Sequence, residues 1–371
     1  MHHADVTILT RTLGRPCLAD AAASVAAQTV RPREWLVVDA SGEGVDVPPA
    51  GDVPVRVVGA GARLPRSRAA NLGLDRAEGA RAIILDDDDL LLPDAVKLLS
   101  AALDARPGFR VAYGDVRTDC GGLPGPARFA YEYSELLLLR RNLFPPNAAM
   151  FDMSLVREHA VRVDESLDWF EDWDLWLSMS AHTAFVHVAE EVGIYRMVLS
   201  QSGIWLWASP DADPRMRQHK AKVEARHAQR RRAAEDRHRA LKSRALALRT
   251  EGRIEEALSV WIAAAASDPL DPEPPVAAAR LFVAAGRAND ARAVLESAVA
   301  RMPKLPGLLV ALARACEQAG EPAPAAVAPE PPKMSKAEQK FLEQEKERQR
   351  KQAEEDGKQR LVDEKRKAEQ D

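Results

Sequence analysis

Short apolar runs alternate with helix-forming stretches over the first hundred residues, and that alternation restricts the fold more than any other feature. Val6-Thr7-Ile8-Leu9-Thr10, Trp35-Leu36-Val37-Val38-Asp39, Val55-Arg56-Val57-Val58 and Ala82-Ile83-Ile84-Leu85 read as strands. Cys17 to Gln28, Ser67 to Ala77 and Pro93 to Ala105 read as helices, the last with proline at its start. Strands separated by helices of this length predict βαβ units, hence an α/β, Rossmann-like domain with a mostly parallel sheet. Further on, Asp164 to Ser180 reads as a helix with Trp169, Trp173 and Trp176 on one core-facing side, and Ala184 to Val188 as a short strand.

The sheet prediction gives meaning to four consecutive aspartates, Asp86 to Asp89, which directly follow the last of those strands. In open α/β sheets, ligands bind where strands end. Four adjacent carboxylates repel one another, and a cation neutralises them. Hard oxygen ligands predict Mg²⁺ or Mn²⁺, ions that complete their shells with substrate phosphates. The competing reading is a solvated acidic turn, but such turns seldom lie between a buried strand and an apolar helix start.

Three regions follow one another along the 371 residues. Residues 1–210 hold the α/β pattern, and residues 211–239 form a basic stretch expected to be a helical linker. Residues 240–320 repeat: Gly252, Gly286 and Gly320 are 34 apart, as are Ala257 and Ala291, and Pro269 and Pro303. That period, with glycine between paired helices, resembles tetratricopeptide repeats and suits a protein partner. Residues 321–371 join a Pro/Ala-rich linker to a charged tail, expected to be disordered or a solvated helix.

Composition excludes several classes. A net charge of −4 gives no global attraction to nucleic acid, and the basic stretch from Arg215 to Arg244 lacks interleaved aromatics. That stretch is either a solvated helix or a contact with anionic lipid or a phosphate-bearing acceptor. Three scattered cysteines (Cys17, Cys120, Cys316) predict a reducing compartment without a disulfide framework. No leader-like pattern opens the sequence and no apolar run has spanning length, which predicts a cytoplasmic protein, with peripheral contact at the inner face of the membrane through the basic stretch.

Several polar residues fall at compatible places. Asp39 ends the second strand, and Thr10-Arg11-Thr12-Leu13-Gly14-Arg15-Pro16 forms a basic turn after the first. Arg66, Arg68 and Asn71 lie before and in the helix preceding the aspartates. Phe170-Glu171-Asp172-Trp173-Asp174-Leu175-Trp176 sets three carboxylates among aromatics, where desolvation raises a carboxyl pKa toward that of a general base. Asp39 has an alternative role as the cap of its own turn. Arg66, Arg68 and Arg196 have one as surface arginines. His159, His182 and His187 lack ligand spacing and read as structural.

These residues carry a resemblance. Thr10 to Pro16, Ser24 to Thr29 and Glu34 to Asp39 look like the opening of family 2 glycosyltransferases. Ala70-Asn71-Leu72-Gly73-Leu74, Leu85 to Asp89, Glu171 to Leu177, and Tyr195-Arg196 with Ser200-Gln201-Ser202-Gly203 resemble that family's later motifs, in order. The resemblance implies a GT-A fold over roughly the first 205 residues and inverting transfer of a sugar from a nucleotide diphosphate, a UDP-sugar foremost, to a glycan or lipid-linked hydroxyl in cell-surface polysaccharide synthesis. It implies that Asp86 and Asp88 form the DxD pair, with Asp88 the favoured metal ligand and Asp87 an alternative for the ribose or the metal. It makes Asp172 the catalytic base, and Thr10, Arg11, Asp39, Arg68, Asn71, Asp86 and Asp87 the donor-binding set. Two positions depart from the family: Ala40 stands where a second acid is usual, and Ser178 where an arginine is. Ala40 is also the one sequence feature favouring the alternative, a repeat-containing scaffold with an inactive transferase domain.

Overall fold

The computed structural model describes residues 3–197 and 213–320. The α/β pattern forms one sheet. Its elements are β1 (His3–Thr12), α1 (Leu18–Ala26), β2 (Arg31–Asp39), β3 (Val55–Gly59), α2 (Arg66–Arg76), β4 (Arg81–Ile84), β5 (Leu90–Leu91), α3 (Ala95–Asp104), β6 (Val111–Cys120), β7 (Leu123–Phe129), α4 (Glu135–Arg140), β8 (Ala149–Asp152), α5 (Ser154–Arg157), α6 (Glu171–Met179) and β9 (Phe185–Arg196). The strand order is β3-β2-β1-β4-β8-β6-β9-β5, with β7 paired to β6. Strands β3, β2, β1, β4, β6 and β9 share one direction, while β8, β5 and β7 oppose them. The sheet is therefore mixed and mostly parallel, as the alternation requires.

Ile8, Leu9, Trp35 to Val38 and Ile83 are almost fully inaccessible, as expected of strands covered on both faces. Burying each such Val, Leu or Ile contributes roughly 1.5–3 kcal/mol. Gly73 explains one motif position: a Cβ there would sit 2.1 Å from Leu9 Cδ1, so α2 packs directly on β1.

Some boundaries differ from the sequence reading. β1 continues two residues beyond Thr10, because Arg11 and Thr12 pair with Val38 and Asp39. The helix expected from Asp164 starts only at Glu171, since Phe170 is left-handed (φ 62°) and cannot continue a helical turn. Trp169 therefore leaves the expected common face and packs against the His219 ring and the Arg215 guanidinium, while Trp173 and Trp176 are core. β9 runs on to Arg196 instead of stopping at Val188.

A helical layer follows: α7 (Pro214–Arg226), α8 (Ala228–Thr250), α9 (Ile254–Ser267), α10 (Glu273–Ala284), α11 (Ala288–Arg301) and α12 (Pro306–Ala319). Gly252, Gly286 and Gly320 each adopt a φ of 72° to 76° at the end of a helix, so the 34-residue spacing marks a left-handed turn that favours glycine. Ala257 and Ala291 are wholly buried at close helix contacts. This layer has its own apolar core, and Leu270 packs against both cores.

The basic stretch is not a free linker. α8 runs unbroken past residue 240, and several of its arginines face the sheet domain. Arg226 pairs with Asp164 and Asp174, and Arg230 donates to Leu177 O and pairs with Glu135, as does Arg237. Ser134 Oγ donates to Ser267 O at 2.6 Å, and Arg140 holds Asp268 at 2.5 Å. Among the described residues, no helix is long and apolar enough to cross a membrane. The tail expectation (residues 321–371) and the Ser200–Gly203 motif lie outside the described residues.

Candidate active site

The aspartates leave β4 at the edge where β1 and β2 also end, in the turn that joins β4 to β5. Leu85 N donates to Leu9 O at 2.8 Å, and Asp89 N closes the turn onto Asp86 O at 3.0 Å. α1 anchors the next segment, with Gln28 donating to Leu92 O at 2.9 Å and accepting from Val96 N at 3.1 Å. All four aspartates are buried. A cleft of about 180 Å³ opens beside them, lined by Arg11, Thr12, Leu13, Arg15, Ala40, Leu64, Arg66, Ala69 and Asp86 to Asp88.

Repulsion within the run is relieved in this structure by guanidinium groups. Arg11 Nε donates to Asp86 Oδ1 at 2.8 Å, and Arg66 Nη2 to Asp86 Oδ2 at 2.6 Å. Both arginines also reach Glu171 Oε1: Arg11 Nη2 is at 3.0 Å, and Arg66 Nε at 2.6 Å, an ion pair not aligned as a hydrogen bond. Arg15 forks across Asp87 and, at 3.0 Å, Asp88. Thr12 Oγ1 donates to Asp87 Oδ2 at 2.5 Å. Asp89 Oδ1 accepts from Arg196 N at 2.9 Å, while its buried Oδ2 has no partner among the described residues.

The acids respond differently. Burial pushes Asp86 upward, but Arg11 and Arg66 outweigh it and hold the carboxyl well below the usual range. Burial and the charge of Asp86 raise Asp88. Burial, then Asp88 and Asp86, raise Asp89 further. Asp86, Asp88 and Asp89 can each bring one oxygen within 4.8 Å of the others. An octahedral Mg²⁺ spaces opposite oxygens roughly 4.2 Å apart, so the residues fit a divalent ion after small rotations. The buried Asp89 oxygen without a partner is the observation that favours a cation there.

Asp172 lies in the first turn of α6, directly after Glu171. Its Oδ2 accepts from Asn142 Nδ2 at 2.8 Å and its Oδ1 from Trp173 N at 2.7 Å. Burial and the adjacent Glu171 charge push its pKa up to about 6, against the hydrogen bonds that favour the carboxylate. Arg11 lines both the cleft and a small hollow that contains Glu171 and Asp172. Tyr195 is half-buried near the charges of Asp89, Asp172 and Asp86, with its phenol pushed up chiefly by desolvation.

Other expected residues are placed elsewhere. Thr10 is buried and accepts from Trp35 Nε1 at 2.9 Å. Asn71 donates to Val163 O at 2.9 Å and accepts from Val163 N at 3.0 Å, clamping the loop that leads to α6. Arg68 is exposed, 3.9 Å from Glu165. None of these three lines the cleft. Asp39 accepts from Ser41 N, Ser41 Oγ, Gly42 N and Gly44 N, which is the turn-capping alternative. Arg11, Asp86, Asp87 and Asp88 do meet at the cleft, and Arg66, read as either a phosphate contact or a surface residue, bridges two buried acids. The sequence reading did not single out Asp89, Glu171 or Asn142 as separate contributors. The first two sat inside quoted motifs, whereas Asn142 had no signal.

No known protein-family model matches the chain. The Sinorhizobium fredii (strain NBRC 101917 / NGR234) "Uncharacterized protein y4gI" is 35% identical over 129 residues, 34% of this chain and 14% of that protein. Staphylococcus aureus TarS 1–349 in complex with UDP-GlcNAc has a TM-score of 0.47 at 15% identity, over 86% of this chain and 89% of that one. The mannosyltransferase PcManGT from Pyrobaculum calidifontis, in complex with GDP-Man and Mn²⁺, has a TM-score of 0.46 at 18% identity, over 81% and 87%. Likeness at that level assigns no substrate to this chain.

Proposed function

We propose that the chain is a GT-A-type, inverting glycosyltransferase that uses a nucleotide-diphosphate sugar, with a UDP-sugar the first donor to test. The observation that carries this reading is the pairing of two acid groups in one neighbourhood: a buried aspartate run with an unpartnered Asp89 oxygen, and Asp172 poised near pH 6. Asp88 and Asp89, with Asp86, would hold Mg²⁺ or Mn²⁺, which when bound offsets charge on a departing diphosphate. Arg11 and Arg66 keep Asp86 ionised and fixed. Asp172, oriented by Asn142, accepts the acceptor hydroxyl's proton as that oxygen bonds to the anomeric carbon. The bond from that carbon to the diphosphate oxygen breaks, its electron pair leaves with the nucleotide, and one displacement inverts the centre.

A glycan or lipid-linked acceptor, and a place in cell-surface polysaccharide synthesis, belong to this reading, as do a protein partner on the tetratricopeptide-like helices and peripheral membrane contact through the basic stretch. The second reading, an inactive domain serving as a scaffold, draws on the arginine pairing of Asp86 to Asp88, which balances much of the charge without a metal. Turnover of UDP- and GDP-sugars with Mn²⁺ or Mg²⁺ separates the two. One donor should be consumed, and Asp172→Asn should lower the rate about 10²–10⁴-fold while Mn²⁺-dependent UDP binding persists. Unchanged turnover in that variant removes Asp172 from the role, and no turnover by the unaltered chain favours the scaffold.

A further inference from the structure

Three guanidiniums meet the aspartate run, and they are not equivalent. Arg11 is in β1 and Arg66 opens α2, so regular backbone holds both, and each bridges Asp86 to Glu171. Arg15 sits instead in the turn after β1, next to Gly14 at φ 80°, with its side chain partly exposed. Its partners, Asp87 and Asp88, are acids that Arg11 and Arg66 do not pair with. Asp87 also has Thr12, so it stays bonded if Arg15 departs. Asp88 has Arg15 as its hydrogen-bond partner among the described residues. Removing this one side chain therefore uncovers Asp88 beside the unpartnered Asp89 oxygen.

Charge points the same way. Asp86 to Asp89, Glu171 and Asp172 carry more formal negative charge than Arg11, Arg15 and Arg66 offset, and a divalent cation takes up part of the excess. With a cation on Asp88, the Arg15 guanidinium at the cleft wall loses one of its two carboxylates, and its fork shape suits phosphate oxygens bound in pairs.

We propose that Arg15 is a displaceable counter-ion: it covers Asp88 in the free protein, yields that carboxylate to a divalent cation, and turns to the diphosphate of the incoming donor. This rests on the glycosyltransferase reading above and adds an order of events, because metal and donor then assist each other through one side chain. Reciprocity requires that whatever weakens Arg15 strengthens the metal taken alone and weakens the nucleotide.

The test is Mn²⁺ binding to the purified full chain by calorimetry, without nucleotide, for the unaltered protein, Arg15→Gln and Arg15→Lys, followed by UDP titration at saturating Mn²⁺. Arg15→Gln should bind Mn²⁺ about tenfold tighter and UDP about tenfold weaker, within the usual range of coupling between sites. Arg15→Lys, which keeps the charge but cannot fork across two carboxylates, should fall between, and it carries the test if the glutamine variant folds poorly. Equal Mn²⁺ affinity in all three proteins overturns the counter-ion role and leaves the metal-dependent reading standing. Tighter Mn²⁺ binding with unchanged UDP binding overturns the hand-over. No Mn²⁺ binding by any of the three overturns this proposal and the metal part of the functional reading together.

Discussion

The cleft and the helical layer both pair arginines with acids, yet the pairs do opposite work. In the cleft, Arg11, Asp86 and Glu171 are at most 10% exposed and hold one another where water cannot. In the layer, Arg253–Glu256 and Arg287–Asp290 repeat one device 34 residues apart, after Gly252 and Gly286, with side chains about half exposed. Exposed pairs like these add little, since water already solvates both partners. A buried charge that loses its partner is costly, because nothing replaces the lost solvation. The number of ion pairs is therefore a poor guide to what matters here, and burial is the better one.

The largest effect expected from breaking this contrast is at Arg11. Arg11→Met leaves Asp86 with Arg66 alone and should destabilise the fold by about 3 kcal/mol, the usual scale for a broken buried pair. For a chain of this size, that lowers Tm by roughly 4–5 °C in a thermal melt. Adding Asp86→Asn should recover part of the loss, because the stranded charge goes with it. A melt of Arg11→Met within a degree of the unaltered chain would mean the cleft pairs are as weak as the surface ones.

A smaller effect, on reactivity and not on folding, follows at Asn142. The proposed reaction needs Asp172 ionised, so on that reading transfer should fall as pH drops through about 6. Burial and Glu171 raise that pKa, while the Asn142 N–H favours the ionised form and lowers it. Asn142→Ala should then move the acid limb upward by roughly half a unit to one unit. Linkage gives stability the opposite trend. The native state keeps a proton that the unfolded chain releases from the ordinary aspartate value of 3.8 upward, so Asp172's contribution is lost as pH rises to about 6. An acid limb that stays put in Asn142→Ala would show that Asn142 does not set the ionisation of Asp172.

Much of this was legible in the sequence because it depends on local chemistry. Apolar runs predict buried strands, an aspartate run after such a strand predicts a ligand site, and glycines at a fixed period predict the joints between paired helices. What was not legible depends on contacts far apart in sequence. Residues 106–163 carried no clear period, yet β8 inserts antiparallel between β4 and β6. Asn142 reaches Asp172 across 30 residues, and Arg11 reaches Glu171 across 160. Asn71 was visible as part of a motif, but its use as a loop clamp appears only once Val163 is beside it. Charge misled in the basic stretch: Arg226 and Arg230 read as solvated or lipid-facing until α6 supplied Asp174 and Leu177 O.

The smallest effect belongs to the repeated surface pair. Arg253 forks onto Glu256 at 2.6 Å and reaches Glu251 at 3.1 Å, and these bonds raise the guanidinium pKa. That shift has no counterpart in stability, because the group is solvated whether the chain is folded or not. Arg253→Ala should leave Tm within about 1 °C, and added salt should change it no more than it changes the unaltered chain. A drop approaching that of Arg11→Met would show that the helix turns rely on their ion pairs as the cleft does. Gly252, left-handed and without a Cβ, is then the sharper control. Its replacement by alanine should cost more than the loss of the neighbouring charge, because backbone strain is not relieved by water.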